Sequence, residues 1–316
     1  MIAIMVVLSI FAGYVLTSVV LLRYPRLLHK PKEIKFKPRV IGHRGGAGEN
    51  LENTLTAFKS GVKAGVEMLE LDCQLTKDGE VVVCHDNCLE RISGENVLIS
   101  DLDYKDLPLL KQNLEVTFTK ERYCIGNDDR RIPLLREIFE TFRDIPINVD
   151  IKINNDKLIE KVSDLIKEFK REDITVWGNV RQEVVDKCYK ENPQIPILFS
   201  FRRVVITTLL FYCGLLPFIP IKESFMEVLM PSAMAKMFDM NKKTKALWSI
   251  IDTMLMSKIM FYHLSKRGIQ VYVWVLNEEN DWERALRLGA TGIMTDYPTQ
   301  LSEFLSKNAH LVRPWA

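Results

Sequence analysis

Four short stretches of this chain carry residue types and spacings that could do chemistry. In Gly42-His43-Arg44-Gly45-Gly46 an imidazole and a guanidinium precede two glycines, which let a ligand approach the backbone. That pairing suits proton transfer beside a bound phosphate, because Arg grips phosphate through paired N–H donors and His titrates near neutrality. In Glu70-Leu71-Asp72 the period-two spacing of a strand points both carboxylates to one side. Neighbouring carboxylates repel, so a hard divalent cation, Mg²⁺ or Ca²⁺, is the economical occupant; a buried salt bridge is the alternative and needs cationic partners. Asp150-Ile151-Lys152 repeats the spacing, offering a third carboxylate for the metal and an ammonium for a substrate phosphate. His85-Asp86 adds a second imidazole, so an acid/base pair with His43 becomes possible.

These stretches need elements that aim them at one point. Arg39–Gly42 reads as a buried strand, and residues 52–64 carry the helical spacing Leu55, Phe58, Val62. Residues 67–75 and 81–84 read as extended runs around the turn Lys77-Asp78-Gly79, and 88–131 lacks clear periodicity, as an insertion would. Strands at 146–151, 174–177, 195–199, 271–274 and 292–294 then alternate with helices at 158–169, 180–190, 279–288 and 299–306. So many βα units in one chain favour a parallel (β/α)8 barrel over an open sheet, with the active stretches at strand ends.

The 316 residues, 47% hydrophobic and 27% charged, suit one barrel of about 250 residues plus appendages. Residues 1–22 carry no charge and are long enough to cross a bilayer, which predicts a transmembrane anchor. A cleaved signal peptide would want a basic start and a small-residue cleavage site, whereas Arg23-Tyr24-Pro25-Arg26 follows. The linker 23–39 holds seven Lys/Arg against Glu33, a positive-inside bias that puts the body on the cytosolic side of an internal membrane such as the endoplasmic reticulum.

Residues 204–221 are also uncharged, but a single crossing there would split one barrel across the membrane. Pro217 and Pro220 break its second half, so the expectation is a hydrophobic flap, interfacial or re-entrant, against the plainer reading of buried core. Met226, Met230, Met234 and Met237 stand at helical spacing beyond it, as core or as an adaptable surface for acyl chains. The six cysteines form no CxxC pair, which argues against structural zinc and a disulfide framework. There is no nucleic-acid motif or long basic arm, and no obligate protein partner is expected.

Taken together, HRGG (43–46), ENT (52–54), ELDCQLTKDGEVVVCHD (70–86), DIK (150–152), VYVWVLN (271–277) and TDYP (295–298) resemble the glycerophosphodiester phosphodiesterases over residues 40–306. The apolar N-terminus and the wording GENLENT resemble the membrane-bound lysophospholipase D branch. The resemblance implies a TIM barrel, with His43 and His85 as general acid and base, and Glu70, Asp72 and Asp150 as ligands of one divalent cation. It also implies Arg44 and Lys152 as phosphate contacts and Trp274 beside the substrate. Two positions depart from the family pattern: Asp150 stands where Glu is frequent, and Leu51 where Pro usually precedes ENT.

The expected substrates are lysophospholipids (choline, ethanolamine and N-acyl ethanolamine forms), cleaved to lysophosphatidic acid and the free alcohol or N-acylethanolamine. Deacylated diesters such as glycerophosphocholine are the alternative. A sphingomyelinase D-like activity and a non-catalytic lipid-sensing scaffold are further readings, and the scaffold should have lost a His or an acidic ligand.

Overall fold

The computed structural model describes residues 1–126, 129–238 and 240–312; the tail expected at 307–316 therefore lies partly outside the described residues. The chain opens with α1 (Ile2–Arg23), a helix without charge until its last residue, Arg23, and almost entirely exposed. The linker that follows is not loose. Lys32 N donates to Arg267 O, Gln270 Nε2 donates to Phe36 O at 2.7 Å, and the Phe36 ring stacks on Phe225.

The body then runs β1 (Val40–Gly42), α2 (Leu55–Lys63), β2 (Met68–Leu75), β3 (Val81–Val83), α3 (Glu90–Ser93), β4 (Asn113–Glu115), β5 (Tyr123–Ile125), α4 (Leu135–Thr141), β6 (Ile147–Ile151), α5 (Asp156–Glu168), β7 (Thr175–Gly178) and α6 (Gln182–Glu191). It continues through α7 (Phe201–Tyr212), β8 (Phe225–Leu229), α8 (Pro231–Ala235), α9 (Lys242–Leu255), α10 (Lys258–Lys266), β9 (Gln270–Trp274), α11 (Glu279–Leu288), β10 (Gly292–Thr295) and α12 (Pro298–Lys307).

Seven strands pair in the order β7-β6-β2-β1-β10-β9-β8, every pair parallel. The ring closes through residues 197–198, which bridge Trp177 on one side and Phe225 on the other, so 195–199 serves as the eighth stave without forming a regular strand. The result is a (β/α)8 barrel. Alternation along the strands separates two cores. Leu69, Leu71, Val149, Val228 and Val273 face the helices, while Ile41, Met68, Phe225, Tyr272 and Met294 fill the interior, with Phe36 plugging its N-terminal end.

The structure gives four of these stretches a definite form. β3 returns antiparallel along β2 and is not a barrel stave. The stretch 88–131 has its own apolar cluster, including Leu89, Ile99, Leu110 and Leu114, and the hairpin β4–β5; Leu51, in place of the usual Pro, packs into that cluster. The methionine stripe is not a helix face, because Met226 lies on β8 and Met230 just after it, both fully buried. The 204–221 segment is not one helix: its first half belongs to α7, a surface helix of 12 residues that is too short to cross a bilayer, and after Tyr212 the chain turns and passes through a separate short 3₁₀ turn at Leu216–Phe218.

Candidate active site

The polar groups gather at the C-terminal ends of the strands. Gly42 ends β1, and the chain turns at once into His43-Arg44-Gly45-Gly46. Arg44 is buried with φ of 49°, a left-handed conformation costly for a residue with a side chain. Gly45 (φ 84°) and Gly46 (φ 110°) complete the turn, and a Cβ on either would lie 2.9 Å from Phe58 or Pro298. The turn presses the Arg44 amide onto Glu70, whose Oε2 it meets at 2.8 Å.

Parallel pairing of β2 with β6 puts Glu70 opposite Asn148 and Asp72 opposite Asp150. Lys152 Nζ lies between two of these carboxylates, 3.1 Å from Asp72 Oδ1 and 2.9 Å from Asp150 Oδ2. Arg44 Nε stands 3.3 Å from Asp72 Oδ2, and Arg44 Nη1 donates to Glu52 Oε1 at 3.0 Å. Asn53 Nδ2 donates to Asp72 and Asn179 Nδ2 to Asp150, each at 2.8 Å. The cationic partners that a buried salt bridge requires are thus present.

Charge is unevenly shared across this cluster. Burial alone would raise the Asp72 carboxyl, but Lys152, Arg44 and His85 hold it far below the ordinary range. Glu70 goes the other way: burial and then the Asp72 charge push it well above the ordinary range. For Arg44 and Lys152 burial opposes the charge, yet the surrounding carboxylates outweigh it and raise both.

Both histidines are backed by carboxylates. His43 Nδ1 meets Asp296 Oδ1 at 2.6 Å, and His85 Nδ1 meets Asp86 Oδ1 at 2.6 Å. Such a bond fixes the ring so that Nε2 is left for a ligand. Asp296 is held in turn by Asn277 Nδ2 at 2.8 Å, and the same nitrogen donates to Phe118 O at 3.3 Å, at the tip of the β4–β5 hairpin. Phe118 sets its ring on edge to both His43 and Trp274. Asp86 is held low, at about 2, because the His85 hydrogen bond and the Arg91 charge overcome its burial.

All eight residues expected from the sequence border one cavity of about 500 Å³: His43, His85, Arg44, Lys152, Trp274, Glu70, Asp72 and Asp150. Several neighbours were not singled out. Glu52, Asn53 and Thr54 divide the ENT triplet: Glu52 pairs with Arg44 and Arg91, Asn53 with Asp72, and Thr54 caps α2 by accepting from Ala57 N. Asp296 and Asn277 stood in recognised motifs without a role. Glu227 faces the cavity from β8, 2.5 Å from Asn148 Nδ2, its carboxyl pushed up to about 8 by burial and the Asp150 charge. None of the four methionines at helical spacing borders the cavity; Met294 does.

Among the described residues, no three of His, Cys, Asp and Glu converge as a ready-made metal cage. The donor chemistry nonetheless fits a hard divalent cation. Glu70 and Asp72 are paired carboxylates whose mutual repulsion raises Glu70, and the Asn53 Oδ1 carbonyl beside Asp72 is buried with no hydrogen-bond donor.

A model of the glycerophosphoryl diester phosphodiesterase family matches residues 43–300. The rat protein named Lysophospholipase D GDPD1 is 56% identical over 302 residues, covering 95% of this chain and 96% of that one. The human protein named Lysophospholipase D GDPD3 is 40% identical, covering 95% of each chain. Among solved structures, a putative glycerophosphoryl diester phosphodiesterase from Silicibacter pomeroyi shares the fold at a TM-score of 0.60 and 18% identity, covering 89% of this chain and 96% of its own. A phosphodiesterase from Oleispira antarctica, solved with the product sn-glycerol-3-phosphate, does so at 0.58 and 17%, covering 85% and 97%. The chain therefore belongs to the glycerophosphoryl diester phosphodiesterase family of phosphoric diester hydrolases, and groups there with relatives named Lysophospholipase D.

Proposed function

We propose that this phosphodiesterase is a lysophospholipase D, converting lysophospholipids of the choline, ethanolamine and N-acyl ethanolamine kinds to lysophosphatidic acid and the corresponding alcohol or N-acylethanolamine. The observation that carries the reading is the shape of the cavity. It begins at the His43 and Asp72 cluster and continues between α7 and α9 along Phe201, Val204, Trp248, Ile251 and Leu255. A deacylated diester gives such a wall nothing to hold, whereas one acyl chain fills it.

Arg44 and Lys152 are positioned for the phosphate. One of the two histidines takes the proton of the glycerol 2-hydroxyl, whose oxygen attacks phosphorus as the bond to the headgroup oxygen breaks. The other gives that oxygen a proton. Water then opens the resulting cyclic phosphate, which spans the glycerol 2- and 3-oxygens of an acylated substrate, with the histidine roles exchanged, a symmetry that suits two imidazoles each held by a carboxylate at 2.6 Å. Glu70, Asp72 and Asp150 are the proposed holders of one divalent cation, Mg²⁺ or Ca²⁺, which when bound supplies charge stabilisation at the phosphate. Trp274 and Phe118 shield the headgroup side.

Mass spectrometry of the purified full chain with lysophosphatidylcholine and with glycerophosphocholine, each in Mg²⁺, Ca²⁺ or chelator, tests this. Lysophosphatidic acid and choline should form in a cation-dependent manner. Turnover of glycerophosphocholine alone would sink the lipid assignment, and indifference to chelator would remove the cation.

A further inference from the structure

The outer surface of α7 and α9 is apolar where a soluble barrel would present polar side chains. On α7, Val204, Thr207 and Thr208 are buried against the barrel, while Phe201, Val205, Leu209 and Tyr212 point outward and are exposed. On α9, Trp248 and Ile251 border the cavity, with Leu247 and Ile250 exposed beside them. Contiguous apolar surface of this kind marks a contact with something.

What it contacts is indicated by α1. The first turn of α7 borders the cavity, and its far end carries α1: Tyr14 OH donates to Cys213 O, Ser18 Oγ donates to Gly214 O at 2.7 Å, and the Tyr14 ring stacks on Phe218. α1 has a mean hydropathy of 2.4 and is almost wholly exposed, a surface at home in hydrocarbon. The apolar face of α7 thus runs unbroken from the lipid-seeking helix to the cavity mouth. α9 is tied to it where Tyr212 OH donates to Met254 O at 3.2 Å. The first turn of α9 exposes Lys242, Lys243 and Lys245, and a helix with lysines at its polar part and Leu and Ile on its apolar part is built to lie in a lipid headgroup layer.

We propose that α7 and α9 form a membrane-docking rim, seated in the headgroup–acyl boundary of the bilayer that α1 enters, so that a lysolipid slides from the bilayer into the cavity without crossing water. This rests on the lysophospholipase D reading and adds the route of substrate entry.

The test uses the full chain reconstituted in phosphatidylcholine vesicles. The triple variant Leu209→Glu/Leu247→Glu/Ile250→Glu changes only exposed positions outside the cavity. Turnover of palmitoyl-lysophosphatidylcholine in the same bilayer should fall at least about tenfold, while turnover of short-chain lysophosphatidylcholine free in solution stays within about twofold of the parent. Equal turnover of the bilayer substrate by variant and parent would overturn the proposal, as would a variant that converts a dimer to a monomer in detergent yet keeps bilayer turnover, since the face would then be an interface between copies. Independently, vesicles with brominated acyl chains should quench the parent's fluorescence more than that of Trp248→Phe; equal quenching also overturns the rim. A parent that cleaves glycerophosphocholine but neither lysolipid refutes the substrate reading instead, and the quenching result still reports the docking.

Discussion

At the scale of single residues, the site depends on carboxylates that never need to touch the substrate. Asp296 orients His43 and Asp86 orients His85, each through Nδ1. Asp296→Asn should lower kcat by about 10² to 10⁴-fold with little change in KM, since the ring loses its fixed tautomer while the phosphate contacts remain. Steady-state kinetics beside a thermal melt check this, and a fall in kcat/KM arising wholly from KM would count against the assignment. Glu70→Gln keeps the shape and the hydrogen bond from the Arg44 amide but removes one anionic donor. Calorimetric titration with Mg²⁺ or Ca²⁺ should show at least about tenfold weaker binding; unchanged affinity would exclude Glu70 as a ligand. Seven of the eight expected residues, which border one cavity, stand in short clusters that spacing alone makes visible, whereas Trp274 was expected only from the family resemblance. Asp296 was harder to find, since 253 positions separate it from His43 and only barrel closure through β10 and β1 brings them together.

At the scale of elements, β2 shows how one strand divides its labour. Its outward residues Leu69 and Leu71 join the core beneath the helices, while Glu70 and Asp72 point into the barrel. That alternation was readable from period two. By contrast β8 was not recognised, because Phe225–Leu229 lies among methionines whose spacing mimicked a helix. α9 supplies a wall of the cavity, and on the proposed reading that this wall takes the acyl chain, Trp248→Ala should lower kcat/KM for a palmitoyl lysolipid about tenfold or more while sparing a short-chain analogue. An equal loss on both substrates would show that Trp248 supports the fold and not the chain.

At the scale of the molecule, the barrel is strapped to its N-terminal helix at the far end from the site. His263 Nδ1 donates to Leu22 O at 3.1 Å, and its Nε2 is buried without a partner. Burial, helped by the charge of Arg267, lowers this imidazole to about 4 from its ordinary 6.5. The folded state therefore keeps His263 neutral while the unfolded chain protonates near 6.5, so stability present above that pH is lost as pH falls toward 4. The linkage amounts to about 3 kcal/mol in full. Thermal melts of the full chain between pH 7.5 and 4.5 should show this decline, and His263→Gln should flatten it; parallel curves would remove His263 as the cause. A chain anchored by α1 should also stay in the membrane pellet after alkaline carbonate extraction, and its release would show that α1 does not span.

The sequence by itself determined the periodic elements, the inward clusters Glu70/Asp72 and Asp150/Lys152, and an uncharged N-terminal helix long enough for a bilayer. These are properties of spacing and composition over a few residues, set by strand pleat and helix rise. Only the tertiary structure decided that residues 197–198 close the barrel with two isolated bridges, and that Asp296 and Asn277 stand behind His43. It also decided that Lys152 lies between Asp72 and Asp150. The same holds for the uncharged run 204–221, whose composition allowed a span, a flap or core. Packing of Val204, Thr207 and Thr208 on the barrel made its first half part of a surface helix, since which side of a helix is covered depends on partners remote in sequence.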